Sequence, residues 1–185
     1  VEYHETLMVA SGEQAEQNLH HAVEKYKGKF ICIVEGAIGT SHKGSYGRVS
    51  GKTFLEIAKE VIPKAAATIC VGTCSAYGGI SAAAPNPGGY KGVKDAIGVD
   101  TINLPGCPFN PLNLLGTILK YLNNEKMELD DYGRPSFAYG ETVHDNCPRL
   151  EHYENDEFVE EFGSKEARLG YCLYKLGCRG PETYN

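Results

Sequence analysis

Three cysteines and a histidine crowd two short C-terminal stretches, "TVHDNCPRL" (142–150) and "GYCLYKLGCRGP" (170–181): His144, Cys147, Cys172 and Cys178. The spacing H-x2-C followed by C-x5-C supplies four soft or borderline donors. On ligand type these suit Zn2+ or an iron–sulfur cluster equally well. On that chemistry alone a structural zinc is the commoner use, because histidine ligation of clusters is rare. Two further cysteines stand in turn-rich loops, Cys74 in "GTCSAYGG" and Cys107 in "PGCPFNP". Each follows an apolar run directly, and the flanking Gly and Pro let the backbone wrap closely around a bulky ligand. Two thiolates close neither a tetrahedral metal site nor a four-iron cluster. Two more ligands are therefore expected from a loop that precedes Val1. Cys32 and Cys70 lie inside the apolar runs "KFICIVEG" and "ATICVGT" and read as small buried hydrophobes.

The cysteine count is seven, an odd number that a closed disulfide framework would not leave. The chain has 185 residues, 42% of them hydrophobic, enough for one domain with a real core or a domain with a small appendage. The formal charge is −6 and the basic residues are scattered. That argues against nucleic acid or an anionic membrane surface as the main partner. No apolar run approaches a membrane span and no signal peptide opens the chain. The first residues already read as folded sequence, and the last follow a cysteine-rich segment closely, so both ends read as cut.

The elements that must position these donors alternate. Residues 11–28 predict a helix with Ser11 and Gln14 as a capping box, an apolar stripe of Ala15, Leu19, Ala22, Val23 and Tyr26, and Gly28 to end it. "FICIV" then predicts a strand buried on both faces. Residues 36–52 read as a loop, "TFLEIAKEVI" as a helix ended by Pro63, "ATICVG" as a strand, 78–92 as a Gly/Pro-rich loop and "TINLP" as a short strand. "NPLNLLGTILKYLNN" predicts a helix with Pro111 in its first turn and Leu112, Leu115, Ile118, Leu119 and Leu122 on one side. Alternation with buried-type strands predicts an open, mostly parallel α/β sheet with helices on both faces. Cys74 and Cys107 then fall at the carboxyl ends of strands, where such sheets build their sites. From about residue 123 apolar periodicity fades, and only "PSFAYGETV" and "SKEARLGYCLY" suggest local order. A tail of that kind needs a metal centre or similar staple.

"GTCSAYGG", "PGCPFNPLNLLGTI", "VHDNCPRL" and "GYCLYKLGCRGPETYN", in this order and spacing, closely resemble the small subunit of nickel–iron hydrogenases, and "VEGAIGT" and "YHETLM" agree. The resemblance implies a flavodoxin-like domain over residues 1–130, its first strand upstream of Val1, and the start of a loop-rich iron–sulfur cluster domain over 131–185. It implies an electron-transfer subunit whose clusters lie between an H2-activating large subunit, which holds the Ni–Fe centre, and an external carrier such as a cytochrome c or ferredoxin. By the same resemblance Cys74 and Cys107 match two ligands of a proximal [4Fe-4S] cluster, the other two belonging to a C-x-x-C motif upstream. His144, Cys147, Cys172 and Cys178 match the full set for a distal [4Fe-4S] cluster. The ligands of a medial [3Fe-4S] or [4Fe-4S] cluster would lie beyond Asn185. Glu35 matches a glutamate close to the proximal cluster; its plainer reading is a strand-end carboxylate facing solvent. The family's export signal implies a periplasmic, in some members membrane-associated, location. The chain departs from the family at Gly39 and Phe109, where proline is usual; both lie in loops.

The competing reading is a flavodoxin-like binding protein with a structural zinc in its tail. The remaining candidates are weak. His20 and His21 read as surface side chains, while His4, His42 and His152 lack a second ligand at metal spacing. Tyr77 could pack on a cluster or serve as an ordinary core or interface aromatic. "GGISAAAPNPGG" lacks the G-K-[ST] ending of a phosphate-binding loop.

Overall fold

Three apolar runs bounded by Gly or Pro make the sheet. In the computed structural model, which describes residues 1–184, they form β1 (Ile31–Glu35), β5 (Ala67–Val71) and β7 (Ile102–Leu104), parallel and in the order β1-β5-β7. Ile31–Glu35 runs level with Ala67–Val71, and Ile69–Val71 with Ile102–Leu104. Short antiparallel pairs complete the strands: β2 (Ile38–Gly39) with β6 (Tyr90–Lys91), and β3 (Arg48–Val49) with β4 (Lys52–Thr53). The segment 36–52, expected as a loop, therefore carries local pairing.

Among the described residues the α-helices are α1 (Gly12–Lys25), α2 (Phe54–Val61), α3 (Thr73–Tyr77), α4 (Val93–Ile97), α5 (Pro111–Leu122), α6 (Ser136–Tyr139), α7 (Leu150–Glu154) and α8 (Lys165–Leu169). Both faces of the sheet are covered. Cys70, Cys32 and Val34 face Leu55, Ala58 and Val93 of α2 and α4. Ile69, Val71 and Leu104 face Leu114 and Ile118 of α5 and Tyr139 of α6. Ile69 and Leu104 are fully buried, each worth about 2 kcal/mol relative to exposure.

One expectation is corrected. Ser11 makes no side-chain cap, because Gly12 enters α1 at φ +57°. The capping box stands one helix on: Glu56 N–H donates to Thr53 Oγ1 at 3.1 Å, and Thr53 N–H to Glu56 Oε2 at 2.7 Å. In α5 the leucine stripe faces outward. Leu112, Leu115, Leu119 and Leu122 are all more than half exposed, while Ile118 is half-buried against the sheet. The inward face is led by buried Asn113 and Thr117, whose hydroxyl donates to Asn113 O at 2.7 Å.

The tail is held by few contacts. Leu129 bridges Pro135, and Phe158 bridges Cys172 in parallel, with Val159 fully buried beside it. Among the described residues no helix is long and apolar enough to cross a membrane.

Candidate metal centre

β5 and β7 end side by side, and the chain is locked there by hydrogen bonds between residues that precede the two loop cysteines. Gly72 N–H donates to Leu104 O at 2.9 Å and Thr73 N–H to Gly106 O at 3.0 Å. In return Gly106 N–H donates to Thr73 Oγ1 at 3.0 Å. Thr73 immediately precedes Cys74, which lies in the first turn of α3, and Gly106 immediately precedes Cys107. The two loops are thus joined at the sheet's carboxyl end. Cys74 is half-buried and Cys107 exposed, and both are free thiols.

Glycine is required at two places here. Gly106 adopts φ +145°, and a Cβ on it would lie 2.5 Å from Pro108 O. A Cβ on Gly79 would lie 2.7 Å from Cys74 Sγ. Tyr139 supports the same turn from behind by donating to Pro105 O at 3.0 Å. Glu35 closes β1 level with Val71 and is exposed, at the same end of the sheet as both loops.

Cys70 and Cys32 point elsewhere. Burial pushes the Cys70 thiol up to about 12, against a hydrogen bond with Thr101, and the Cys32 thiol up to about 11. Both pack in the core cluster with Leu55, Ala58 and Val93, where the neutral thiol is favoured.

In the tail, His144 N–H donates to Gly180 O at 3.2 Å and Cys147 N–H to His144 O at 3.1 Å. A Cβ on Gly180 would meet Cys178 Sγ at 3.4 Å and His144 N at 3.6 Å, so His144 and Cys178 adjoin across that glycine. Cys172 is buried; its N–H donates to Glu157 O, and its carbonyl accepts from Val159 N–H. Arg149 ties the two segments by donating from its guanidinium to Tyr171 O at 2.6 Å. The turn presenting His144 is closed by Asp145, whose carboxylate accepts from the Thr142 N–H and hydroxyl at 2.7 and 2.8 Å. Those bonds hold the Asp145 carboxyl below its ordinary range, the backbone one foremost. The His144 ring stands edge-on to Tyr153 at 4.6 Å, and Tyr153 in turn meets Phe158 and Tyr174.

Two thiols receive backbone amides: Arg149 N–H donates to Cys147 Sγ, and Gly180 N–H to Cys178 Sγ, both at 3.4 Å. Such N–H···S bonds stabilise a thiolate and tune a cluster that it holds. An open pocket of about 390 Å3 lies against Cys178, lined by Tyr174, Gly177, Arg179, Pro181 and Glu182. Among the described residues no three His, Cys, Asp or Glu side chains converge closely enough to hold a single metal ion. The cross-loop role of Thr73 and the anchoring role of Arg149 were invisible in the sequence, where nothing links Thr73 to Gly106 or Arg149 to Tyr171.

The profile described as "NADH ubiquinone oxidoreductase, 20 Kd subunit" matches residues 1–121, and the profile for the C-terminal part of the "NiFe/NiFeSe hydrogenase small subunit" matches 139–185. The whole chain is 53% identical to the periplasmic [NiFe] hydrogenase small subunit 1 of Nitratidesulfovibrio vulgaris, covering 59% of it. It is 44% identical to the hydrogenase-2 small chain of Escherichia coli K12, covering 50% of that protein. Among solved structures, the oxidised [NiFeSe] hydrogenase of Desulfovibrio vulgaris Hildenborough superposes with TM-score 0.89 at 33% identity, all of this chain on 71% of that one. A reduced, active Ni-Fe-Se hydrogenase of Desulfomicrobium baculatum gives 0.87 at 39%, over 72% of its chain. The chain belongs to the small-subunit family of the nickel–iron hydrogenases. Its sheet is the flavodoxin-like α/β domain expected from the alternation of elements. Small subunits of this family carry iron–sulfur clusters and pair with a large subunit.

Proposed function

We propose that this chain is the electron-transfer small subunit of a nickel–iron hydrogenase, relaying electrons between an H2-activating large subunit and an external carrier such as a cytochrome c or ferredoxin. The observation that carries it is the joining of the Cys74 and Cys107 loops at one exposed end of the sheet. In this reading Cys74 and Cys107 hold half of a proximal [4Fe-4S] cluster. His144, Cys147, Cys172 and Cys178 hold a distal [4Fe-4S] cluster. A medial [3Fe-4S] or [4Fe-4S] cluster would be held by other residues of the full subunit. Bound clusters supply one-electron redox capacity, and the Ni–Fe centre of the large subunit supplies the H2 chemistry. The protein's own work is to place thiolates and donate amides to them.

Residues 1–130 form the flavodoxin-like domain in this proposal and 131–185 begin the cluster domain, a division supported by the two profiles ending and starting either side of it. Tyr77 and Ile80, in the segment that follows Cys74, are exposed apolar side chains, Ile80 at 84%. Exposed apolar groups next to a ligating cysteine fit burial against the large subunit. The periplasmic names of relatives support the same location here.

His144 makes the sharpest test. A neutral imidazole in place of a thiolate removes one negative charge from the ligand set, which raises a cluster's potential, as in Rieske centres. In the full heterodimer, His144→Cys should keep its iron while H2-linked reduction of the external acceptor falls sharply. Hydrogen–deuterium exchange on H2, which needs only the large subunit's metal centre, should persist. Equal loss of both activities, with iron and partner retained, would overturn the assignment of His144 to the distal cluster. A colourless protein with stoichiometric zinc would remove the cluster reading altogether.

A further inference from the structure

We infer that Thr73 is a positioning residue for the paired cysteine loops, fixing the separation of Cys74 and Cys107; the inference rests on the reading of those two thiols as ligands of one cluster. The residue preceding each cysteine bonds to the residue preceding the other. Thr73 N–H reaches Gly106 O, and Gly106 N–H reaches Thr73 Oγ1, both at 3.0 Å. The second of these bonds is supplied by a side chain. It spans 33 positions in sequence and joins loops that belong to different strands. Neighbouring anchors hold each loop at its outer side, Leu104 O for Gly72 and Tyr139 Oη for Pro105 O. Between them the Thr73–Gly106 pair joins the two residues that directly precede the cysteines.

The chemistry selects threonine or serine. Gly106 stands at φ +145°, a conformation that leaves its amide aimed across the gap at the neighbouring loop. Without the hydroxyl a part-buried N–H is left unpaired, which shifts a local equilibrium about tenfold toward the opened loop. An opened loop lets Cys107, already exposed, move relative to Cys74, which is pinned in the first turn of α3. A cluster bridging two such thiols then samples more geometries, and its potential and spectrum broaden.

The experiment uses the full small subunit in complex with its large subunit, as parent, Thr73→Val and Thr73→Ser, with Cys74→Ala and Cys107→Ala in parallel. Amide exchange at Gly106 reads the clasp itself. Potentiometric electron-paramagnetic-resonance titration reads the cluster, with the C-terminal cluster of the same molecule as internal control. Thr73→Val should speed Gly106 exchange about tenfold and broaden or shift the titration of the loop-bound cluster alone. Thr73→Ser should restore both. Faster exchange with an unaltered cluster signal would reduce Thr73 to a structural residue and overturn the inference. Parent-like behaviour in both readouts would overturn it as well. Full iron retention in Cys74→Ala and Cys107→Ala would overturn the ligand reading, and this inference with it. Iron loss in those two, beside a parent-like Thr73→Val, would overturn this inference alone.

Discussion

Graded alkylation of the seven cysteines tests their division into structural and ligating groups. In iron-free full-length protein at pH 8, a thiol of ordinary pKa, about 8.5, is roughly one-quarter ionised. A thiol pushed by burial to about 12, as at Cys70, is ionised in about one molecule in ten thousand. At about 11, as at Cys32, the figure is about one in a thousand. Intrinsic nucleophilicity rises with pKa and returns between one and two orders of magnitude. The net chemical slowing is therefore roughly 60-fold at Cys70 and roughly 20-fold at Cys32. Cys70 is also fully buried, so reagent must wait for local opening, whereas Cys107 and Cys178 are exposed. The expected order with iodoacetamide, read by mass spectrometry of timed quenches, is Cys107 and Cys178 first, then Cys74 and Cys147, then the buried Cys172, with Cys32 and Cys70 last. In urea all seven should converge. Labelling of Cys70 at the rate of Cys107 in folded protein would refute the assignment of Cys70 to the core. As a companion, Cys70→Ala should keep full iron and lose about 1 kcal/mol, the cost of a small cavity.

Three further outcomes are expected. Gly106→Ala sets a side chain at φ +145° against Pro108 O and should cost about 1–3 kcal/mol in thermal or denaturant unfolding, with iron lost from the loop-bound cluster before the other. Cys147→Ala, Cys172→Ala and Cys178→Ala should each remove the C-terminal cluster by iron and sulfide analysis and loosen residues 140–184 by hydrogen exchange, because that segment has few core residues beyond Val159. The Asp145 carboxyl is held low in the fold by Thr142, so its contribution is fully present above its unfolded value of about 3.9 and is lost as pH falls through the folded value. Amide protection at Thr142 and Asp145 should therefore fade in acid, and Asp145→Asn should flatten that dependence.

What could be read in the residues, and what could not, follows from range. Parallel strands announce themselves as continuous apolar runs, and the three predicted here begin and end within a residue or two of β1, β5 and β7. The loop cysteines were visible because glycine and proline bracket them. α3 and α4 were not foreseen, since Thr73–Tyr77 and Val93–Ile97 are shorter than the window that periodicity needs. The short helix α7 escaped for the same reason.

The helix α5 shows a deeper limit. Periodicity reveals that leucines share a face but does not say whether that face meets the sheet. Here Leu114 and Ile118 meet the sheet, while Asn113 and Thr117, which look polar in the sequence, are buried beside them, with the Thr117 hydroxyl bonded back to Asn113 O. The Asn110 cap opens the helix, and the Cys107 loop just before it is tied to the end of β5 by the 3.0 Å hydrogen bond from Gly106 to Thr73. The joining of the two cysteine loops is therefore settled outside the helix. It is made by residues whose importance depends on contacts more than thirty positions away, and a pattern read along a single helix cannot contain it.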